Sequence, residues 1–400
     1  MAPFKIDLPQ RRFLFSLLVF WAPILVLFAV EETVFYRSGE TWTIEHVLSY
    51  QHNHPDSLFM RRLFDQQLYL YKLKEARRRR PEILALGSSR VMQFRAGMFG
   101  ADWQRFYNAG GMLQCIEDLT FVLQEMPDLK PRVVLLGIDM WWLNEDWDKA
   151  DKGNSDRFTA RPTDAAISWE AHLLALRRLW LKEGSGLRLW KPYLNVTLSP
   201  ADDRIGLTAH LGDRGFRATD GSVAYPASAT PDRQFPAPLD PTHLQSVARG
   251  LKEFLPTGGV SARLLNELRD DLLELKRRGV LVVGFLPPFS SDMVRALESN
   301  ADQREIWHQY TERVPALFSE LRLPCIDASA PEKIGLTDRY MIDGVHAMET
   351  FHLHLLRAML NDPRVAGELA ATRTAIQFAL SSPKTNVWYA DLPPAGRPSQ

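Results

Sequence analysis

Pro81-Glu82-Ile83-Leu84-Ala85-Leu86-Gly87-Ser88-Ser89-Arg90 is the stretch on which the fold turns. Four apolar residues opened by a proline and closed by a glycine have the length and ends of a strand buried on both faces. Two later runs repeat the pattern: Val133-Val134-Leu135-Leu136 between Pro131 and Gly137, and Val280 to Leu286 before Pro287-Pro288. Cys325-Ile326-Asp327 is a weaker fourth. Between them lie helical stretches, the clearest from Ser261 to Arg278, where Leu265, Leu268, Leu272 and Leu275 recur at helical spacing and Gly279 follows the end. Strand, helix, strand, repeated, predicts an α/β domain with a parallel sheet covered on both faces. Ligands of such sheets bind beyond the carboxyl ends of the strands.

Composition narrows the class. Of 400 residues, 46% are hydrophobic and 24% charged, which suits a globular chain rather than a disordered one. Lysine and arginine balance aspartate and glutamate at 48 each, so nothing in the total charge calls for a nucleic-acid partner. Arg77 to Arg80 is one dense basic run, either a phosphate or lipid contact or a solvated helix end before Pro81. Cys115 and Cys325 are too few for a disulfide framework; they form one bridge or remain two buried thiols.

Phe13 to Val30 carries no charge over eighteen residues, about the lower limit for a helix crossing a ~30 Å hydrocarbon core. Lys5, Arg11 and Arg12 precede it, and Glu31 and Glu32 follow. That asymmetry predicts residues 1–12 in the cytoplasm and the rest outside it, the periplasm in a Gram-negative cell. Phe28-Ala29-Val30-Glu31-Glu32 lacks a small-x-small cleavage site, which favours an anchor of the cytoplasmic membrane over a cleaved leader. Residues 31–80 read as a helical linker, 81–362 as the domain with a loop-rich insertion at about 151–260, and 363–400 as a tail. Asn195-Val196-Thr197 is a short glycosylation match of little weight.

Two motifs carry chemistry. Gly87-Ser88-Ser89-Arg90 follows a strand and opens a helix, where converging N–H groups favour an oxyanion, although such a turn is also an ordinary serine N-cap. Asp343-Gly344-Val345-His346 sets a carboxylate three residues before a histidine, able to orient the imidazole as a base, or simply to cap a helix. Second to these come Trp141, Trp142 and Trp147, which follow a strand end and either line a sugar-binding cleft or fill the core. Arg90 either binds an anionic substrate group or pairs with a carboxylate. His346, His352 and His354 lack the spacing of a metal site, and no cofactor is called for.

With these two motifs in this order, the chain resembles the SGNH (GDSL-type) hydrolase superfamily over about residues 81–150 and 261–360. The resemblance implies Ser89 as nucleophile, His346 as base and Asp343 as its orienter. It also implies oxyanion donors from Ser89, from Gly110 or Gly111 in Asn108-Ala109-Gly110-Gly111, and from the position of Asp139. There Gly137-Ile138-Asp139 stands where the family has Gly-x-Asn, and an ionised aspartate cannot donate. With its single anchor the chain is similar to the proteins of alginate and other polysaccharide O-acetylation and of teichoic acid D-alanylation. That likeness implies a surface or exported polysaccharide or other polymer as substrate, and a membrane-bound acyltransferase as partner. The expected activity is acyl transfer or ester hydrolysis through an acyl-serine. The alternative is a non-catalytic, anchored accessory or polymer-binding protein.

Overall fold

The computed structural model describes residues 8–63, 68–154, 203–212, 214–225, 241–385, 390 and 392. They divide into two compact units, 1–65 with 164–215 and 66–163 with 216–400, and two of the three breaks fall inside the segment expected as an insertion. Most of that segment, with Asn195, lies outside the described residues.

The first unit begins with helix α1 (Leu8–Ser38), which contains one stretch long and apolar enough to span a membrane. Phe13, Phe15, Leu18, Phe20 and Leu25 stand exposed along it, whereas Val34, Phe35 and Ser38 at its end are buried. The expected linker is therefore partly a folded collar. Ser38 O accepts the Gly206 N–H at 2.6 Å. The buried Glu40 carboxylate accepts N–H groups from Arg62, Leu63 and Leu207 at 2.7–2.8 Å. Burial raises the pKa of Glu40 and these three N–H groups oppose the rise. Helix α2 (Ile44–Asn53) starts where the Thr43 hydroxyl accepts the His46 N–H.

The second unit is built on a five-stranded parallel sheet: β1 (Ile83–Gly87), β2 (Phe106–Gly110), β3 (Val133–Gly137), β4 (Leu281–Leu286) and β5 (Cys325–Asp327), in the order β2-β1-β3-β4-β5. Four of these match the expected strands. The fifth, β2, reads Phe-Tyr-Asn-Ala-Gly and lacks an aliphatic run, so the sequence pattern does not show it. Its Asn108 is fully buried because every polar group of its side chain is used: Nδ2 donates to Val91 O and Phe94 O, and Oδ1 accepts the Gly110 N–H.

Side-chain alternation along the strands builds two cores. Leu84, Leu86, Val134, Leu136, Val282 and Leu286 face one, packed under helices that include Ile116–Glu125, Ala262–Arg277 and Ala301–Glu320. Ile83, Ala85, Val133, Leu135, Val283 and Phe285 face the other, against Glu349–Met359 and Ala370–Ser381. Because Val365, Leu369, Ile376 and Ala379 belong to that second core, the folded body runs past 362, where the sequence reading ends it. Ser261 caps the helix predicted at 261–278 through its hydroxyl, and Gly279 beyond it takes φ +80°.

The basic run is divided. Arg77, Arg78 and Arg80 are exposed at the helix end, but Arg79 donates to Ala218 O and Thr219 O, holding the 216–224 hairpin. Lys72 reinforces that hairpin by donating to Gly221 O and to Asn108 O of β2, and burial pushes its ammonium pKa down to about 7. Both cysteines are free thiols.

Gly137 ends β3 where a side chain has no room: a Cβ there would lie 2.5 Å from Val91 Cγ2 and 2.9 Å from Phe285 Cζ. Gly137→Ala should therefore destabilise the domain by about 1–3 kcal/mol, as overpacking of a tight core does. Urea unfolding of the two proteins checks this, and an unchanged midpoint contradicts the close approach.

Candidate active site

The site forms where β1 ends. Ser88 caps a single 3₁₀ turn, Ser89–Val91, its hydroxyl accepting the Arg90 N–H at 3.2 Å. The cap leaves Ser89 half-buried at the carboxyl end of the sheet. Asp343 organises the second loop by the same means, its Oδ1 accepting the N–H groups of Val345 and His346 at 2.8 and 2.7 Å. The Ile342 N–H donates to His346 O at 2.7 Å and closes the loop.

These two local turns bring together residues 257 positions apart. His346 Nδ1 lies 2.9 Å from Asp343 Oδ2 and Nε2 lies 2.9 Å from Ser89 Oγ. An ionised carboxylate only accepts, so Nδ1 carries the proton and Nε2 is free to accept from the serine hydroxyl. Burial alone would raise the Asp343 carboxyl. The His346 ring and the two loop N–H groups outweigh it and hold the carboxyl well below the usual carboxylate range. A hydroxyl bonded to a base, and that base bonded to a carboxylate, is the arrangement that activates a serine for attack on a carbonyl.

The expected oxyanion groups fare differently. The Gly110 N–H is taken by Asn108 Oδ1 at 2.7 Å, and the Gly111 N–H by Gly87 O and Ser88 O, both at 2.9 Å. Asp139 is fully buried and accepts from Arg90 Nη1 at 2.8 Å, so it offers no donor. Burial raises its pKa, while Arg90 foremost, then the Ser88 hydroxyl and His346, favour its charged form. The Ser89 N–H is left, with no hydrogen-bond partner among the described residues, as the first N–H of a helical turn should be.

The expected substrate-binding residues also need correction. The Arg90 side chain is 1% exposed and turns inward, where all its bonds are to the protein, so no group of it reaches a substrate. Trp142 is fully buried and Trp141 nearly so, against Phe254 and Phe289, leaving no ring face on which a sugar could stack. Trp147 is half-buried, with its indole N–H donating to Gln114 O at 3.2 Å.

His352 is a residue whose role the sequence did not reveal. It is buried, its Nε2 is 3.1 Å from Arg90 O, directly after the serine, and its Nδ1 is 2.9 Å from Met348 O. Among the described residues no group of three His, Cys, Asp or Glu is placed to hold a metal.

No family model matches the chain, and no curated protein or solved structure matches it either.

Burial pushes the His352 pKa down to about 4. The unfolded chain takes up a proton below its ordinary value of about 6.5, while the folded chain refuses it until about pH 4. Folding stability therefore falls as pH drops through that window, by roughly 3 kcal/mol from this residue. His352→Phe should flatten that part of the pH dependence. Urea unfolding across the window checks it, and an unaltered slope contradicts the neutral, buried imidazole.

Proposed function

We propose that this chain is a membrane-anchored serine enzyme of acyl transfer, on a scaffold similar to the SGNH (GDSL-type) hydrolases. The observation that carries this reading is the hydrogen-bonded series Ser89, His346, Asp343 at the carboxyl end of a parallel sheet. Ser89 Oγ attacks an ester carbonyl as His346 Nε2 takes its proton. The tetrahedral adduct expels the alcohol, which receives that proton, and leaves an acyl-serine. A second hydroxyl, from water or from a sugar, gives its proton to His346 and takes the acyl group, and His346 returns that proton to Ser89 Oγ as the acyl–oxygen bond breaks, restoring the serine. Asp343 holds the tautomer and stabilises the imidazolium in both halves.

The substrate we propose is an acylated surface or exported polysaccharide or related polymer. The one helix among the described residues that is long and apolar enough to span a membrane lies near the N-terminus, with basic residues before its apolar stretch and acidic residues after it, which supports an extracytoplasmic position for the domain. A membrane-bound acyltransferase is the proposed partner and acyl source. The likeness to polymer-acylation proteins supports both, and the buried Trp141 and Trp142 add nothing to them.

One observation favours the alternative, an anchored accessory protein. With the Gly110 and Gly111 N–H groups committed and Asp139 paired, Ser89 N–H is the one expected oxyanion donor left. Removing one such donor typically lowers kcat by about 10²–10³. We therefore expect slow turnover of a generic ester.

The test is release of p-nitrophenol from p-nitrophenyl acetate by the full chain in detergent, with a sugar oligomer as second acceptor. Ser89→Ala should reduce release to the level of buffer, and Asp343→Asn should lower kcat by roughly 10⁴-fold through the wrong tautomer. Acetyl found on the oligomer identifies a transferase, and release to water alone an esterase. Equal rates in wild type and Ser89→Ala sink the catalytic reading and leave the accessory role.

A further inference from the structure

The residue after the serine has a further role. Arg90 sends its three donor nitrogens to three different segments: Nη1 to Asp139 Oδ1 at 2.8 Å beyond β3, Nη2 to Pro288 O beyond β4, and Nε to Val345 O at 2.9 Å. Its guanidinium carbon lies 4.1 Å from the centre of the Phe289 ring and 5.5 Å from that of Trp141, so the plane is packed as well as bonded. From outside the turn, His352 Nε2 meets the Arg90 carbonyl.

Val345 is the decisive contact. It stands one residue before His346, and the Asp343 carboxylate already holds its N–H. Arg90 takes its carbonyl. The two bonds hold the peptide groups on either side of Val345, and the second of them comes from Arg90, the residue that follows Ser89 in the chain. The length of the guanidinium fork thus sets how far the histidine loop stands from the serine turn. A lysine has one ammonium on a flexible stem and cannot serve three acceptors that lie in three directions around a plane.

We propose that Arg90, with Asp139 as its counter-ion, is the positioning residue that holds His346 Nε2 within hydrogen-bond reach of Ser89 Oγ. The proposal rests on the acyl-transfer reading for its kinetic consequence but not for its geometric one. It also accounts for the aspartate at position 139: a carboxylate there neutralises a buried guanidinium, a task an asparagine could not perform.

Two variants separate positioning from bulk stability. Arg90→Lys keeps the charge and loses the fork. The double variant Arg90→Met with Asp139→Leu removes the pair without leaving a buried charge, and such replacements commonly preserve or raise stability. In both, kcat for p-nitrophenyl acetate should fall by about 100-fold, the size expected of a ~1 Å misplacement, with KM changed by less than about twofold. The double variant should keep a thermal midpoint near that of wild type. In its crystal structure Ser89 Oγ and His346 Nε2 should lie beyond hydrogen-bond reach. Wild-type kcat in the double variant, or an unchanged Ser89–His346 separation, overturns the proposal. If the wild type shows no Ser89-dependent turnover, the acyl-transfer reading falls, and the measured separation in the double variant still decides the role of Arg90.

Discussion

The ion pair between Arg90 and Asp139 is the constraint around which the second unit is arranged. Its side chains are 1% and 0% exposed. Two such charges lose several kcal/mol of hydration each, so neither is tolerated alone. The pair can sit there only if the ends of β1 and β3 stay adjacent and the loops after β4 and before His346 supply carbonyls. A buried pair is poor evidence for stability as such. What it does provide is register: four chain segments must meet at one planar group or leave a charge unsatisfied. The serine sits beside that meeting point because it is the preceding residue.

Much of this was legible in the sequence, and the rest was not for physical reasons. Aliphatic runs bounded by proline and glycine give strands buried on both faces a plain signature, and β1, β3 and β4 follow it, whereas β5, Cys-Ile-Asp, is only partly buried and shows it weakly. β2 escaped because Asn108 at its centre breaks the run, its burial being compensated by hydrogen bonds that no pattern displays. The helices at 363–381 escaped because the prolines around them suggest a tail, while what orders them is tertiary packing of Val365, Leu369 and Ile376. Ser89, Asp343 and His346 were legible because each turn is made locally, by a capping serine and an aspartate that binds its own loop. The direction in which Arg90 and Trp142 point is set by the whole domain and cannot be read from neighbours in sequence. The same holds for the N–H groups near Ser89, since which of them are already spent depends on Gly87, Ser88 and Asn108 meeting across two strands.

The first unit shows a related economy. α1 is exposed along the stretch suited to lipid and buried in its last turns, so the apolar helix ends inside a packed structure. Glu40 makes that packing specific. A carboxylate receiving three backbone N–H groups from residues 62, 63 and 207 joins chain segments far apart in sequence, and those groups offset the cost of burying it.

The polar contacts of the candidate site fall into two kinds, and the difference bears on the proposed function. Arg90, Asp139 and His352 are buried and must find partners within the protein, so the existence of their bonds is not by itself an argument for catalysis. Asp343 and His346 keep 26% and 23% side-chain exposure. Water could satisfy them there, and nothing obliges the imidazole to lie 2.9 Å from the Ser89 hydroxyl. A solvent-accessible relay that is fully formed is therefore the feature that supports the proposed acyl-transfer reading, since stability alone does not require it. The short supply of oxyanion donors argues the other way, towards the accessory role or a slow reaction. Triad and oxyanion hole contribute separately to acyl transfer, each retaining part of the acceleration when the other is impaired.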